Sequence, residues 1–166
     1  MVIRDEVDGD HDTVRFVTSR AFDGHPHSNG GEAALVDTLR SARALSLSLV
    51  AEDEAGIVGH LAFSPVEIGD GSIGGWHGLG PLSVRPDKQG RAIGSALVAE
   101  GLRRLQDRGA KGCILVGEPG YYTRFGFEPC PRLVFPGVSP EYFLCRWIDG
   151  PLPQGEVRYH EAFAAV

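Results

Sequence analysis

The sequence of 166 residues predicts a mixed α/β fold whose central sheet begins with antiparallel strands. Two alternating apolar patterns, at residues 46–52 and 57–66, flank the short connection DEAG, which is typical of an antiparallel hairpin. Farther along, an amphipathic helix that begins at residue 93 is followed by CILVG at residues 113–117, a continuous apolar run typical of a buried strand. Because a strand also precedes that helix, we expect a parallel strand pair joined by a right-handed crossover.

The beginning of the chain predicts one strand and two helices. Residues 2–7 form a mixed run that predicts an edge or first strand. Residues 10–22 begin with aspartates that can cap a helix, and their apolar residues recur on one face. The stretch FDGHPHSNGG at residues 22–31 predicts a loop, since Gly, Pro, Asn and Ser interrupt any period. A second amphipathic helix is expected over residues 32–42.

The helix after Pro86 carries the strongest periodic pattern in the chain. Residues 79–84 predict a short strand, which ends before Pro86 because proline cannot donate a hydrogen bond to a sheet. Gly109 suits the position just after the last turn of the helix that follows. One apolar stripe of this helix is expected to face the core, and it consists of Ile93, Leu97, Leu102 and Leu105.

The pattern weakens toward the end of the chain. Residues 121–125 predict a short helix, and strands are expected from Phe127 onward and at residues 157–163. The segment after Pro140 is rich in Pro and Gly. Because no repeat, linker or low-complexity tract divides the sequence, we expect a single domain over residues 1–166.

Composition and charge disfavour several classes of function. A net charge of −6 gives no electrostatic basis for binding a phosphate backbone, so a nucleic-acid partner is disfavoured. Cys113, Cys130 and Cys145 form no C-x-x-C or C-x-x-H pattern, so neither a disulfide framework nor a zinc site is predicted. No apolar run approaches the ~18 residues needed to cross a bilayer, and the acidic N-terminus is unlike a signal peptide. We therefore expect a cytoplasmic protein without metal or membrane association.

The segment DKQGRAIGSAL at residues 87–97 places Gly90 and Gly94 where the long helix begins. Glycine lowers helix propensity by about 1 kcal/mol relative to alanine, so another interaction must offset that cost. Free N–H groups at a helix N-terminus favour an anion, and bare backbone lets a phosphate approach; close packing alone is the alternative. The spacing excludes a P-loop, since no lysine follows Gly94, and it excludes the G-x-G-x-x-G dinucleotide fingerprint.

Two segments carry a resemblance to the GCN5-related N-acetyltransferases. LSVRPDKQGRAIGSALVAEGLRRLQDRGA resembles motif A of that family, [RQ]-x-x-G-x-[GA], which here falls on Gln89, Ala92 and Gly94. Ala92 replaces the first glycine of the pattern, and we expect its methyl group to be tolerated at a negative φ. GYYTRFGF resembles a later motif in which a tyrosine, here Tyr122, precedes a Gly-Phe pair by four residues. With its tail, the chain is especially similar to the YhbS-like subgroup.

The resemblance implies the fold and the cofactor. The fold has a mixed central sheet with antiparallel first strands, a parallel pair that splays apart and helices on both faces. Acetyl-CoA would lie with its pantetheine arm along the backbone of the strand before the turn and its pyrophosphate on the N–H groups that follow. The residues implied to bind it are Leu82, Ser83, Val84, Gln89, Gly90, Arg91, Ala92, Ile93, Gly94 and Ser95.

The resemblance also implies direct attack of an acceptor amine on the thioester in a ternary complex, without a covalent enzyme intermediate. Tyr122 would donate a hydrogen bond or a proton to the leaving thiolate, unless its ring only packs beside Phe125. Glu118, which follows the apolar run, is the candidate base for the amine, with capping of the next helix as its alternative role. His77 is a second candidate base.

The sequence leaves the function and the partners open at this point. Because Ala92 departs from the pattern, the alternative function is a non-catalytic protein module that binds acyl-CoA or has a regulatory role. The expected ligands are acetyl-CoA and an unidentified amine, and a homodimer is compatible with the sequence. His25 and His27, in the sequence HPH, lack the further ligands that a metal site needs.

Overall fold

The computed structural model describes residues 1–166 as ten strands and four helices connected by turns and short 3₁₀ segments. The strands are β1 (Val2–Asp5), β2 (Leu47–Asp53), β3 (Gly56–Pro65), β4 (Glu67–Ile68), β5 (Trp76–Val84), β6 (Gly112–Val116), β7 (Glu128–Pro129), β8 (Leu133–Val134), β9 (Phe143–Trp147) and β10 (Gly155–Arg158). The helices are α1 (His11–Phe22), α2 (Glu32–Ser41), α3 (Ile93–Asp107) and α4 (Pro119–Tyr122). None of these helices combines the length and apolar character that crossing a bilayer requires.

Seven strands form the central sheet in the order β1-β2-β3-β5-β6-β9-β7. Every neighbouring pair is antiparallel except β5 and β6, which are parallel and are connected through α3. A smaller sheet has the order β4-β10-β8. The expected mixed α/β fold, with antiparallel strands first and a crossover helix in the middle, is confirmed.

The parallel strands β5 and β6 are paired only near their beginnings. Their last paired residues are Gly78 and Ile114, whereas β5 continues to Val84 with β3 as its partner on the other side. β6 pairs with β9 on its own far side along its whole length. The two strands therefore separate toward their carboxyl ends. Backbone groups of residues 82–84 that face away from β3 have no partner strand there.

Helices cover both faces of the sheet. The apolar stripe of α3 packs on one face within the main hydrophobic cluster, as predicted, and Leu97 is 0% exposed. Gly101 lets this helix approach closely, because an added Cβ would lie 2.6 Å from the Phe63 ring. α1 and α2 pack around Val50 in a smaller cluster. Since Val50 alternates along β2 with Leu49 of the main cluster, these two helices lie on the opposite face.

Two strand boundaries differ by three residues or more from the sequence-based expectation. β5 begins at Trp76 and not at residue 79, because the Trp76 ring is buried against Gly112 of the neighbouring β6. Residues 76–78 therefore lie inside the sheet. The strand expected at residues 157–163 is also wrong in extent: β10 ends at Arg158, and a 3₁₀ segment follows at Glu161–Ala165.

The sequence pattern does not reveal β9, although it lies between β6 and β7 in the central sheet. Its sequence, FLCRW, has three consecutive buried residues and so lacks the alternation that marks a half-exposed strand. The strands β4 and β8 contain two residues each, which is too short for any period to show. All three strands form through partners that are distant in the sequence.

Candidate functional site

A cleft of about 790 Å³ opens at the carboxyl end of β5. Its walls come from four parts of the chain: the end of α1 with Phe22, the strand β5 with Leu82 and Val84, the turn and first residues of α3, and Tyr121 of α4. The turn that enters α3 starts where β5 ends. The separation of β5 from β6 thus gives the cleft direct access to unpaired backbone.

The cleft brings together eight of the ten residues that the resemblance implies for cofactor binding. These are Leu82, Val84, Gln89, Gly90, Ala92, Ile93, Gly94 and Ser95. The side chains of Ser83 and Arg91 do not line it. Ser83 is 1% exposed and points to the other side of β5, while Arg91 is exposed to solvent.

The N-terminus of α3 opens into the cleft without a side-chain cap. The N–H of Ala96 donates to the carbonyl of Ala92 at 3.0 Å. The N–H groups of Ile93, Gly94 and Ser95 precede this bond, so they have no acceptor within the helix. Together with the helix dipole they make this wall of the cleft a favourable position for an anion.

The backbone at Ala92 corrects one expectation. Its φ is +62°, in the left-handed region, and not negative as the tolerance of a methyl group suggests. Gly90, two residues earlier, has a φ of +77°. The turn therefore requires a left-handed conformation at both positions, and only Gly90 adopts it without steric cost.

Gln89 connects the turn to the strand before it. Its side-chain Nε2 donates to the carbonyl of Val84 at 3.2 Å. Because Val84 is the last residue of β5, this bond fixes the turn relative to the strand edge. Gln89 thus shapes the cleft in addition to lining it.

Tyr121 and Arg124 are cleft residues that the sequence analysis missed. The Tyr121 hydroxyl is 3.1 Å from Oγ of Ser95, and the Arg124 guanidinium lies 4.6 Å from the centroid of the Tyr121 ring. Both line the cleft, as does Lys88, whose Nζ is 3.4 Å from a carboxylate oxygen of Asp53. The signal in the sequence is the three-residue spacing of Tyr121 and Arg124, which places them on one side of a helical turn.

Tyr122 is the last residue of α4 and lies close to the end of β6. Its ring packs against Gly117, directly after β6, and its centroid is 4.8 Å from that of Tyr121 and 6.1 Å from that of Phe127. Burial, and to a smaller extent the neighbouring Tyr121, raises the pKa of Tyr122 to about 12. Its hydroxyl therefore keeps its proton at neutral pH. Tyr122 packs behind Tyr121 and is not among the residues that form the cleft wall.

The two candidate bases lie in different surroundings. Glu118 is exposed and precedes α4, and its carbonyl accepts hydrogen bonds from the N–H groups of Tyr121 and Tyr122 at 3.1 Å each. Its side chain makes no capping bond, so the capping alternative is not what the structure shows. His77 lies in the paired part of β5, with Nδ1 2.8 Å from Oγ of Ser46, and burial lowers its pKa.

The two histidines of the HPH sequence are close together, but no further metal-ligating side chains are arranged around them. The ring centroids of His25 and His27 are 6.0 Å apart. No group of three or more His, Cys, Asp or Glu side chains is arranged to hold a metal ion. His25 instead contributes to the wall of the cleft.

Comparisons with known proteins agree on one family. Residues 44–129 match the family described as Acetyltransferase (GNAT) domain. The protein called Uncharacterized N-acetyltransferase YhbS from Escherichia coli (strain K12) is 35% identical over 170 residues, which cover 98% of this chain and 98% of the relative. Another Escherichia coli K12 protein, Uncharacterized N-acetyltransferase YjhQ, is 37% identical over 125 residues, 73% of this chain and 66% of the relative.

Two similar crystal structures contain a cofactor. A GNAT family acetyltransferase from Brucella melitensis in complex with acetyl-CoA is 48% identical, with a TM-score of 0.87 and coverage of 98% of this chain and 97% of that chain. The Escherichia coli YhbS structure in complex with CoA is 33% identical, also with a TM-score of 0.87, and the match covers 98% of this chain and 91% of that chain.

Proposed function

This chain belongs to the GCN5-related N-acetyltransferase family, and we propose that it transfers an acetyl group from acetyl-CoA to an amine at the cleft between α1, β5, α3 and α4. The observation that carries this proposal is the uncapped N-terminus of α3, which faces the cleft beside two cationic side chains, Lys88 and Arg124. Free N–H groups and cations together suit the phosphates of CoA. The complexes of the two relatives with acetyl-CoA and CoA support the same assignment.

The residues of the cleft fit acetyl-CoA along its length. Backbone groups of residues 82–84 that face away from β3 can bind the amide groups of the pantetheine arm in the manner of an added strand, except for the Val84 carbonyl, which accepts from Gln89. The N–H groups of residues 93–95 and the bare backbone of Gly90 can receive the pyrophosphate. We propose that Gln89 holds this turn in place through its bond to Val84, and that Ser83 and Arg91 contribute backbone and not side-chain contacts.

The reaction that we propose is a direct acyl transfer. The neutral acceptor amine attacks the thioester carbonyl, a C–N bond forms, and the C–S bond breaks with release of the CoA thiolate. The attacking nitrogen loses one proton as the amide forms and the thiolate takes up one proton, so the products are the N-acetylated amine and the CoA thiol. A phenol with a pKa of about 12 is a weaker acid than a thiol with a pKa near ~8.5. Complete proton transfer from Tyr122 is therefore uphill. We propose that Tyr122 stabilises the developing charge on sulfur by donating a hydrogen bond, for which the thioester must reach past the cleft wall at Tyr121.

Glu118 is the proposed acceptor for the proton that the amine loses. It lies two residues after β6 and immediately before α4, the helix that ends with Tyr122. Its exposed carboxylate can exchange the proton with solvent. The deprotonated amine is the nucleophile, so this step precedes the attack on the carbonyl.

The alternative of a non-catalytic acyl-CoA-binding or regulatory module is not favoured, because the relatives are named as acetyltransferases. We propose a small amine as acceptor, since a chain with a net charge of −6 is poorly suited to nucleic acid. The proposal includes a single acetyltransferase domain over residues 1–166 that acts in the cytoplasm, where the free thiols of its three cysteines persist. Light scattering of the purified protein tests for a homodimer.

The experiment that tests the function combines calorimetry with turnover. Acetyl-CoA is titrated into wild-type protein and Tyr122→Phe, and CoA release is followed with a panel of amines. We expect similar Kd values and a kcat lower by roughly 10²-fold or more in the variant, because only the hydroxyl is removed. The matched control is Tyr121→Phe, which loses the bond to Ser95 and should change Kd more than kcat.

Two outcomes contradict parts of this proposal. Failure to bind acetyl-CoA at hundreds of micromolar excludes the acetyltransferase function. Full turnover in Tyr122→Phe leaves the function intact and removes the assigned role of Tyr122.

A further inference from the structure

The gap between β5 and β6 closes toward the beginnings of the two strands. Its last backbone pair joins Gly78 to Ile114, and the cleft reaches Leu82 of β5 but no earlier residue of that strand. A chain that enters the gap along residues 82–84 therefore approaches the paired backbone with its far end. For acetyl-CoA bound as proposed above, that far end is the acyl group.

Tyr159 covers the closed end of the gap on one face of the sheet. Its ring lies directly over the backbone of Gly78, where an added Cβ would be 2.7 Å from Cε2 and 3.4 Å from Cζ of the ring. The ring packs against the same hydrophobic cluster as Ile114, the partner of Gly78 in β6. Because Gly78 has no side chain, the tyrosine reaches the strand itself.

The Tyr159 ring is held in place by two other aromatic rings. Its centroid is 5.0 Å from that of Phe135 and 4.8 Å from that of Phe163, and Phe135 in turn stacks on Phe143 of β9 at 5.5 Å. Aromatic pairs at these distances fix the position of a ring more strongly than its burial alone. Tyr159 is only half-buried, so part of its surface remains available to a ligand.

The main hydrophobic core closes the same end of the gap on the other face. Leu79, Cys113 and Leu115 belong to the cluster under α3 and are 8%, 0% and 1% exposed. Protein interiors are packed as densely as organic crystals, so this face has no room for further carbon atoms. An acyl group at the closed end is thus bounded by paired backbone, by the core and by the Tyr159 ring.

We propose that the Tyr159 ring limits the length of the acyl group, so that the protein transfers acetyl and discriminates against butyryl and longer chains. An acetyl group places one methyl group beyond the thioester carbonyl. Each further methylene presses against the ring or the core, and such overpacking is unfavourable where the neighbours are held in place. This inference rests on the proposed acetyltransferase function, to which it adds selectivity for the acyl donor.

The test compares three acyl donors that differ only in chain length. Acetyl-CoA, propionyl-CoA and butyryl-CoA are titrated calorimetrically into the wild-type protein, a measurement that needs no acceptor. We expect the Kd of butyryl-CoA to exceed that of acetyl-CoA roughly tenfold or more, with propionyl-CoA between them. With any amine that is acetylated, kcat/KM for the three donors should follow the same order.

Three variants connect this order to the ring. Tyr159→Leu shortens the side chain and keeps it apolar, so the ratio of the butyryl-CoA to the acetyl-CoA Kd should fall to near one. Tyr159→Phe is the matched control, which keeps the ring and should keep the ratio. Phe163→Ala removes one of the supporting rings and should lower the ratio several-fold. The Kd of acetyl-CoA, measured for each variant, shows that the protein is folded.

Equal Kd values of the three donors in wild-type protein overturn the inference, as does a wild-type ratio in Tyr159→Leu. Loss of the ratio in Tyr159→Phe also overturns it, because the hydroxyl and not the ring would then set the length. If Tyr159→Leu does not fold, an unchanged ratio in Phe163→Ala has the same consequence. The acetyltransferase function stands in all these cases if an amine is acetylated, whereas failure of wild-type protein to bind acetyl-CoA contradicts the proposed function.

Discussion

At residue 92 a single methyl group is held in a backbone conformation that favours glycine. The φ of +62° brings the Cβ of an L-residue close to its own carbonyl, at a cost of about 1 kcal/mol. We expect Ala92→Gly to raise the free energy of unfolding by up to roughly 0.5 kcal/mol, because the relief of strain exceeds the added entropy of the unfolded chain, which costs about 0.5 kcal/mol. Urea denaturation measures this change.

The control for Ala92→Gly lies in the same helix. Ala99 is exposed in the interior of α3, where a glycine should lower the free energy of unfolding by about 1 kcal/mol. Both substitutions replace alanine with glycine, yet their effects on the free energy of unfolding should have opposite signs. Destabilisation by both would show that Ala92 is not strained.

Arg124 is the second residue whose contribution can be isolated. Its guanidinium stacks on Tyr121 and lines the cleft, so we assign it to a phosphate of acetyl-CoA. Arg124→Gln should raise the Kd of acetyl-CoA roughly tenfold, since a charge-assisted hydrogen bond is lost. The Kd of S-acetylpantetheine, which lacks the nucleotide phosphates, should not change. Calorimetry gives both values.

Arg91 provides the comparison for this prediction. It lies in the same turn but is exposed and does not line the cleft. Arg91→Gln should therefore change the Kd of acetyl-CoA less than Arg124→Gln does. The reverse order would assign the phosphate contact to Arg91.

At the scale of elements, the layer between α1 and the sheet contains a buried histidine. His60 of β3 is 0% exposed, and its Nε2 is 2.8 Å from Oγ of Ser48. Burial lowers the pKa of His60 from 6.5 to about 4. Because the unfolded chain binds this proton more readily, the stability from neutral His60 is complete above pH 6.5 and is lost as pH falls toward 4. The expected loss is about 3 kcal/mol.

Urea unfolding between pH 4 and 7 tests this prediction. Wild-type protein should lose more stability across that range than His60→Gln, which has no imidazole to protonate. His27→Gln removes an exposed histidine and should keep the wild-type pH dependence. Equal slopes for wild-type protein and His60→Gln would contradict a depressed pKa at His60.

The elements also show which features a sequence can predict. The sequence predicts α3 because the buried residues of this helix recur on one face, and it predicts the following strand β6 because that strand is continuously apolar. The sequence does not predict β9, since the pairing of β9 with β6 and β7 depends on residues far away in the chain. The same distinction holds in the cleft: Gly90 and Gly94 mark the turn locally, whereas Tyr121 reaches Ser95 only because α4 packs beside the start of α3.

At the scale of the whole molecule, the charge of the cleft is opposite in sign to the net charge of the chain. The chain has a net charge of −6, yet the wall of the cleft includes Lys88 and Arg124 and no carboxylate. The side chains of Asp23 and Glu32 line a separate cavity at the loop between α1 and α2. Composition does not predict this separation of charge, because it arises when distant segments of the chain fold together. An anionic cosubstrate can therefore be attracted to the cleft although the chain as a whole carries a net negative charge.

The cleft itself exists only in the folded chain, because its walls come from α1, β5, α3 and α4. A ligand that binds there stabilises the whole molecule, by about 2.7 kcal/mol at a concentration roughly a hundredfold above Kd. For a chain of this size we expect acetyl-CoA to raise Tm by roughly 5–10 °C under that condition. Scanning calorimetry measures the shift, and Arg124→Gln should need roughly tenfold more acetyl-CoA to reach it. Equal shifts at equal concentrations would show that Arg124 makes no contact with the ligand, and no shift in wild-type protein would show that the cleft does not bind acetyl-CoA.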